Sequence, residues 1–407
     1  MAHGARGVRR AFVLVGGSRS QLGLLEQARA LGHEVCVVDG AETAPLLADA
    51  DIGIVRNFVD VAAVLADLRA HEVEPVAVAT MGSDQAVLPT ARLAHRLGLP
   101  GLPVRTAEIV ADKRKMRAAF EAAGVPAAAG REVKSVEDAA AAFEVTGRAV
   151  VKPVDGSAQR GVTEVRSAEE LPAAFERALA ASRTGAIVLD QYLEGDELTI
   201  NGFLLDGEYF PMSITKRLLH PPPPLGVCIA HRYPSGLSPE RERELFRIAQ
   251  LASDAVGIET GPSYVQVRES FVIEVGARLG GGKDAELAQL VTGFDAIRAN
   301  TLWALGELSV DDLGRREPSA THGQVRFVVA PPGRIIRLDA EPALALDGVH
   351  EAGFYWREGM TLPPLTSGAE RLGYLVLTAG GEQELDDLTD RAFKALHVEI
   401  AVEQVPA

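Results

Sequence analysis

The first hundred residues of this 407-residue chain alternate between strand-like and helix-like patterns. Three apolar runs predict strands, at 11–15, 34–39 and 75–80. Helical patterns follow them, at 21–31, 59–70 and 84–97. Parallel strands need such helical connections between them. We therefore predict that residues 1–105 form a doubly wound parallel α/β domain.

The turn after the first predicted strand argues against a nicotinamide cofactor. It contains Gly16 and Gly17, and the next glycine is Gly23. This spacing is not the G-x-G-x-x-G pattern that brings a dinucleotide pyrophosphate to a helix N-terminus.

The pattern changes after residue 105. A single amphipathic helix is predicted over 106–123, and a small α+β lid unit completes residues 106–189. From residue 190 to 322 we predict an antiparallel-sheet core, because two hairpins follow each other, at 197–214 and 263–275. Residues 323–407 are predicted to form an α+β extension packed on the core.

Charge and composition exclude several classes of function. The formal net charge is −15, with 41 basic and 56 acidic residues, which disfavours nucleic acid as a standing partner. The two cysteines, Cys36 and Cys228, have no zinc-type spacing and suggest no disulfide framework. No apolar run reaches membrane-spanning length, and the basic N-terminus lacks the apolar segment of a secretory signal. We predict a cytoplasmic protein with no membrane partner.

Candidate functional residues are most concentrated in the segment 271–282, which has the sequence FVIEVGARLGGG. On an extended strand Glu274, Gly276 and Arg278 point to one face. A carboxylate is a suitable Mg²⁺ ligand, and an arginine can bind a phosphate or carboxylate oxygen. The glycines are expected to let a substrate approach the backbone. The alternative is a buried Glu–Arg salt bridge at the end of a strand.

A glycine-containing loop at 155–161 lies between two predicted strands, so it is not a Walker motif. Gly156, Ser157 and Gly161 can fold this loop over a triphosphate, and the alternative is an ordinary surface turn. Lys152 ends the strand before the loop. A lysine is unusual in an apolar strand unless its charge is paired, and a phosphate partner would explain it.

Together these segments resemble the ATP-grasp carboxylate–amine ligases, and the resemblance covers nearly the whole chain. It implies an ATP-grasp fold: a pre-ATP-grasp α/β domain, a small lid and an antiparallel core, with the nucleotide between lid and core. The implied roles fall on three sets of residues. The phosphate-binding residues would be Lys113, Lys152, Gly156, Ser157 and Gly161. The hinge residues around adenine and ribose would be Asp190, Gln191, Leu193 and Glu197. The residues at the reacting groups would be Glu274, which holds Mg²⁺, and Arg278, which stabilises the acyl-phosphate.

The sequence departs from the family pattern at two positions, and the second departure points to a subgroup. The second acidic metal ligand is replaced by Gln266, whose amide oxygen can still ligate Mg²⁺, and a turn near 269–270 would place it opposite Glu274. Gly276 and the following R-x-G-G sequence resemble the subgroup that joins L-amino acids. That likeness implies substrate contacts from His231, Arg232, Gly281 and Gly282, although a lone histidine near a strand edge is more often structural.

The resemblance implies a ligase that uses ATP and Mg²⁺, with Mn²⁺ as an alternative metal, and acts as a homodimer. It would form an amide or peptide bond between a small carboxylate and an amine through an acyl-phosphate, releasing ADP and phosphate. Two other functions stay open: an ATP-grasp carboxylase of the biotin or purine-precursor type, and a nucleotide-binding regulator without turnover.

Overall fold

The computed structural model describes residues 8–156, 159–221 and 226–401. The N-terminal strands are β1 (Arg9–Val15), β2 (Glu34–Asp39), β3 (Ile52–Val55) and β4 (Val73–Ala79). The N-terminal helices are α1 (Leu22–Ala30), α2 (Pro45–Asp49), α3 (Val61–Ala70) and α4 (Asp84–Leu97). The strands pair in parallel in the order β3-β2-β1-β4.

Both faces of this parallel sheet are covered, as the predicted doubly wound unit requires. Phe12 and Leu14 pack with the apolar residues of α1, whereas Val13 and Val15 pack with those of α3 and α4. The sequence did not predict β3 and α2, because segments of four and five residues contain too few repeats of a pattern.

The single helix predicted over 106–123 is wrong. Two helices occupy the region, α5 (Val104–Val110) and α6 (Lys113–Ala123). Asp112 separates them because it adopts an extended conformation and its carboxylate caps α6 by accepting from the Arg114 N–H at 2.9 Å. Lys113 is therefore the first residue of a helix rather than an interior one.

The lid is a small antiparallel sheet with two helices. Its strands are β5 (Gly130–Val133), β6 (Ala149–Pro153), β7 (Thr163–Val165) and β8 (Ile187–Gln191), in the order β5-β8-β6-β7. The helices α7 (Val136–Thr146) and α8 (Leu171–Ala181) contribute apolar residues to a core shared with the strands.

The core continues the predicted antiparallel pattern. Its strands are β9 (Glu197–Leu205), β10 (Glu208–Leu219), β11 (Cys228–Tyr233), β12 (Gly261–Arg268) and β13 (Phe271–Gly276). Its helices are α9 (Pro239–Val256), α10 (Asp284–Thr292) and α11 (Ala296–Leu305). The first predicted hairpin is present: the turn Asp206-Gly207 joins β9 to β10, with both residues at positive φ. Residues of α10 and α11 also pack against the N-terminal parallel sheet.

The C-terminal strands are β14 (His322–Val328), β15 (Gly333–Asp339), β16 (Val349–Phe354), β17 (Thr361–Leu362), β18 (Gly373–Ala379) and β19 (His397–Ala401). The C-terminal helices are α12 (Glu341–Leu344) and α13 (Glu382–Ala395). Three of these strands extend the core sheet, which has eight strands in the order β13-β12-β9-β10-β11-β14-β18-β16. The other three form a separate sheet, β17-β15-β19. Across the described ranges, no helix is both long and apolar enough to cross a membrane.

Candidate active site

A cavity of about 630 Å³ lies between the lid sheet and the eight-stranded sheet. This volume is within the usual range for small-molecule sites. We call two of its sides the core wall and the lid wall. The core wall consists of Glu197, Arg217, Tyr264, Gln266 and Arg268, and the lid wall consists of Val150, Lys152, Gly156, Asp190 and Gln191.

Strand alternation builds the core wall. Tyr264, Gln266 and Arg268 share one face of β12, while Val265 and Val267 on the other face are buried in an apolar core. On β9, Glu197 is paired in register with Arg268, and on β10 the neighbouring Arg217 reaches the same carboxylate. A row of polar side chains therefore faces the cavity from one side of the sheet.

Glu197, which was predicted to hold a ribose, lies between two arginines. Its Oε1 is 2.7 Å from Arg217 Nε and its Oε2 is 3.1 Å from Arg268 Nη2. All three side chains are nearly buried. The carboxylate is thus already compensated and keeps both guanidinium groups at the cavity surface, so this cluster carries one excess positive charge.

The predicted metal ligands meet across a hairpin. Gln266 and Glu274 are direct partners in the β12–β13 register, as the sequence predicted from the turn near 269–270. Glu274 Oε2 is 3.4 Å from Lys113 Nζ, which also donates to the Gly156 carbonyl at 3.0 Å. Burial raises the pKa of Glu274, but the charges of Lys113, Lys152 and Arg278 outweigh it and lower this pKa.

These residues fit a metal ion that is held together with a nucleotide. Glu274 and Gln266 provide two oxygen donors at one point of the cavity, and Mg²⁺ commonly takes its other ligands from phosphates and water. Within the described residues, no group of three or more His, Cys, Asp or Glu side chains is placed to hold a metal without such help.

Lys152 has a carboxylate partner inside the protein, which the sequence did not predict. It is 8% exposed, and its Nζ lies 2.7 Å from Asp190 Oδ2. Asp190 also forms a very short ion pair with Arg117 from α6. Burial raises the pKa of Asp190, but the two cations outweigh it and lower this pKa. The Asp190 side chain therefore pairs with these two cations, and contacts with adenine would come from the neighbouring residues.

The other hinge and loop residues divide into two groups. Gln191, Leu193 and Gly156 line the cavity, and their contacts with a nucleotide stay predictions. Gly161 does not: a side chain there would meet Ala181 of α8, so this glycine allows the loop to pack against the lid helix. Ser157 lies outside the described residues.

Arg278 joins the N-terminal domain to the cavity. Its Nη2 is 2.7 Å from Asp84 Oδ1, in the first turn of α4, and its guanidinium lies over the Tyr264 ring at 4.7 Å. The remaining nitrogen, Nη1, is buried without a hydrogen-bond partner among the described residues. A buried donor of this kind suits an anionic ligand.

The glycine run was predicted to admit a substrate, but protein groups occupy the space beside it. A Cβ at Gly280 would lie 2.7 Å from the Tyr264 ring, and one at Gly281 would lie 2.8 Å from Gly82. A Cβ at Gly282 would lie 3.2 Å from His231 Nε2. Gly281 and Gly282 do line the cavity, so their backbone, rather than an open gap above it, is what a ligand can contact.

His231 and Arg232 point in opposite directions from β11, which is an interior strand rather than a sheet edge. His231 lines the cavity and pairs with Asp284, with 3.0 Å between Nδ1 and Oδ1. Burial lowers the pKa of His231, but the charges of Asp284 and Cys228 raise it to about 9. Arg232 does not line the cavity and pairs with Asp386 of α13 at 2.8 Å. Its contact with a substrate stays a prediction that this position does not favour.

Two protein-family models match the chain. Residues 146–286 match an ATP-grasp domain, and residues 326–401 match the L-amino acid ligase C-terminal domain 2. Residues 146–286 are therefore an ATP-grasp domain. The ATP-grasp match contains the lid sheet, the hinge and the Gln266–Glu274 hairpin, and the second match covers the part of the chain that extends the core sheet.

Individual relatives agree with this assignment. The chain is 29% identical to the alanine–anticapsin ligase of Bacillus subtilis over 245 residues, which cover 53% of this chain and about half (51%) of that ligase. The crystal structure of L-amino acid ligase from Bacillus licheniformis superposes with a TM-score of 0.82 at 21% identity, covering 97% of this chain and 100% of that one. The biotin carboxylase domain of a 2-oxoglutarate carboxylase from Hydrogenobacter thermophilus superposes with a TM-score of 0.75 at 17% identity, over 96% of this chain and 91% of that one. At these identities the solved structures show a shared fold. ATP-grasp enzymes generally use ATP and Mg²⁺, and the carboxylase structure contains MgADP.

Several site residues were missed in the sequence. Tyr264 and Arg268 could have been found, since each is a polar residue that alternates with apolar ones along β12. Arg217 follows Lys216 directly, so alternation did not single it out. Asp84 and Asp284 gave no such signal, because each begins a helix and reaches the site only through the tertiary fold.

Proposed function

We propose that the chain is an ATP-dependent ligase that joins the carboxyl group of one small amino-acid-like substrate to the amino group of another. The proposal rests on one observation, which is the set of residues that border a single cavity. The Lys113–Glu274 pair, Lys152 and the free Nη1 of Arg278 all border it, and residues of the L-amino acid ligase C-terminal domain, including Tyr355 and Arg371, border it as well.

Each residue has a task in this proposal. Lys113 and Lys152 would bind phosphate oxygens, and Glu274 with Gln266 would hold Mg²⁺. ATP with Mg²⁺ would supply the phosphoryl group that activates the substrate carboxylate as an acyl-phosphate. Arg278 would neutralise charge on that group through Nη1, while the lid excludes water. The amine would then form the amide bond and displace phosphate, and its extra proton would pass to solvent.

The products of nucleotide turnover test the proposal. We expect ADP and phosphate, and only when a carboxylate and an amine are both supplied, in a chromatographic screen over pairs of amino acids. AMP as the main product would contradict the acyl-phosphate route. A requirement for bicarbonate would indicate a carboxylase instead, and nucleotide binding without turnover would indicate a regulator. The homodimer and the cytoplasmic location stay predictions.

A further inference from the structure

Cys228, the first residue of β11, lies in the wall of the cavity beside an imidazole. It is 2% exposed, and its Sγ is 3.6 Å from Nε2 of His231 and 3.1 Å from the carbonyl oxygen of Ala230. The residue is thus largely enclosed by protein, and the open space that it borders is the cavity.

Asp284 completes a thiol–imidazole–carboxylate row. Its Oδ1 is 3.0 Å from Nδ1 of His231, and the residue is 1% exposed. Neither of its carboxylate oxygens makes a hydrogen bond among the described residues, so the ion pair with His231 is its principal interaction. A carboxylate on one side of an imidazole favours the protonated ring, which can then hold the thiol proton at Nε2.

Two arginines lie near this row as well. Arg217 is the direct partner of His231 in the β10–β11 register, and Nη1 of Arg371 donates to the Cys228 carbonyl at 3.4 Å. Within the described residues, Arg371 has no carboxylate within 4 Å of its guanidinium. Burial raises the pKa of Cys228, but Arg217, His231 and Arg371 outweigh it and lower this pKa.

The other cysteine of the chain provides an internal reference. Cys36 is fully buried in the middle of β2, among the apolar side chains that pack under α3 and α4. Burial there raises its pKa to about 12. The two thiols therefore differ in access and in charge environment, although they have the same intrinsic chemistry.

We propose that Cys228 is a reactive thiolate and a site of covalent modification by small uncharged electrophiles that enter the cavity, with hydrogen peroxide as the oxidant of interest. In this reaction Sγ attacks one peroxide oxygen, an S–O bond forms and the O–O bond breaks. The sulfur is oxidised by two electrons to a sulfenate, and the leaving hydroxide takes a proton to become water. The added oxygen would occupy cavity space next to His231 and hinder ligand binding.

Alkylation of the folded full-length chain tests the reactivity directly. With limiting iodoacetamide, an S–C bond forms as iodide leaves, and peptide mass spectrometry gives a rate for each cysteine. We expect Cys228 to react on the order of tenfold or more faster than Cys36, since each unit of pKa changes the thiolate fraction tenfold. Equal rates, or labelling of Cys228 only after unfolding in guanidinium, would overturn the proposal.

Two variants test whether His231 and Asp284, rather than the accessibility of the thiol alone, make Cys228 reactive. Asp284→Asn and His231→Gln should each slow the labelling of Cys228 and leave that of Cys36 unchanged; an unchanged Cys228 rate in both would overturn the role of the row. Peroxide should add one oxygen to the Cys228 peptide and reduce nucleotide binding, and Cys228→Ser should be resistant. The mass readout does not depend on the ligase activity, so it can fail or succeed independently of the proposed function.

Discussion

The two walls of the cavity use the same charge arrangement but build it differently. On the core wall, Glu197 lies between Arg217 and Arg268, and all three come from adjacent strands of one sheet. Beside the lid wall, Asp190 lies between Lys152 of β6 and Arg117 of α6. The core cluster is fixed by strand register, whereas the lid cluster depends on a helix outside the lid sheet.

Each cluster has two cations for one carboxylate, which leaves one excess positive charge on each side of the cavity. A polyphosphate between the walls would meet both charges. We infer that the core cluster around Glu197 mainly stabilises the fold, whereas the lid cluster around Asp190 mainly contributes to ligand binding.

We expect the largest loss of turnover from a change at Glu274. Glu274→Gln keeps the size of the side chain but removes the charge that faces Lys113 and the inferred metal. We expect turnover to fall on the order of 1000-fold, as for the loss of a group that stabilises transition-state charge. ADP release at saturating Mg²⁺ measures this. Glu240→Gln on the exposed face of α9 is the matched control, and activity within twofold of wild type in Glu274→Gln would place the metal elsewhere.

On the core wall, Glu197→Gln should mainly affect stability. It leaves Arg217 and Arg268 facing each other with no carboxylate between them. Breaking a buried ion pair by removing one partner costs about 3 kcal/mol, so the urea midpoint should fall clearly. Arg268→Met should cost less, because Glu197 retains Arg217. If both variants unfold at the wild-type midpoint, the core cluster has no structural role.

On the lid wall, Lys152→Met should mainly lower the affinity for the nucleotide. Asp190 retains Arg117 in this variant, so thermal stability should stay close to that of wild type. Nucleotide affinity should fall on the order of 30-fold, since a charge-assisted hydrogen bond contributes about 2 kcal/mol. Calorimetric titration with ADP and Mg²⁺ measures the affinity, and Lys134→Met on the exposed lid surface is the control. An unchanged affinity would remove this lysine from the phosphate site.

A smaller gain is expected from Gln266→Glu, which restores a second carboxylate opposite Glu274. Metal affinity rises with the charge of the ligands, so the Mg²⁺ concentration for half-maximal rate should fall about fivefold. Titrating Mg²⁺ against the rate of ADP release gives this value, with Gln289→Glu in α10 as the control. A higher Mg²⁺ requirement in Gln266→Glu would mean that residue 266 does not ligate the metal.

The smallest effect that we expect is a difference between wild type and Asp190→Asn in how stability depends on pH. The lowered pKa of Asp190 stabilises the folded chain above the ordinary aspartate pKa near 3.8, and this contribution is lost as the pH falls below it. The urea midpoints of wild type and Asp190→Asn should therefore differ most at pH 6 and approach each other towards pH 3. A constant difference over that range would show that the charge of Asp190 contributes nothing.

The sequence predicted local relationships well and distant pairs poorly. The opposition of Gln266 and Glu274 followed from a tight turn, which sets the register of its own hairpin. The partner of Lys152 was missed because β6 pairs with β8 across an intervening helix and strand, and no sequence pattern reports such pairing. Arg278 meets Asp84 from another domain for the same reason, and strand alternation turned Arg232 away from the cavity while it turned His231 inward.

The seam between β11 and β14 has a consequence for any attempt to divide the chain. Four residue pairs in register, from Ala230–Arg326 to Tyr233–Gly323, join the ATP-grasp core to the C-terminal unit within one sheet. A version of the protein cut at this seam would present β11 as a bare edge, which can recruit a strand from another molecule. Chimeras that exchange the C-terminal unit should therefore carry their own replacement for β14, because the recipient otherwise becomes a template for self-association.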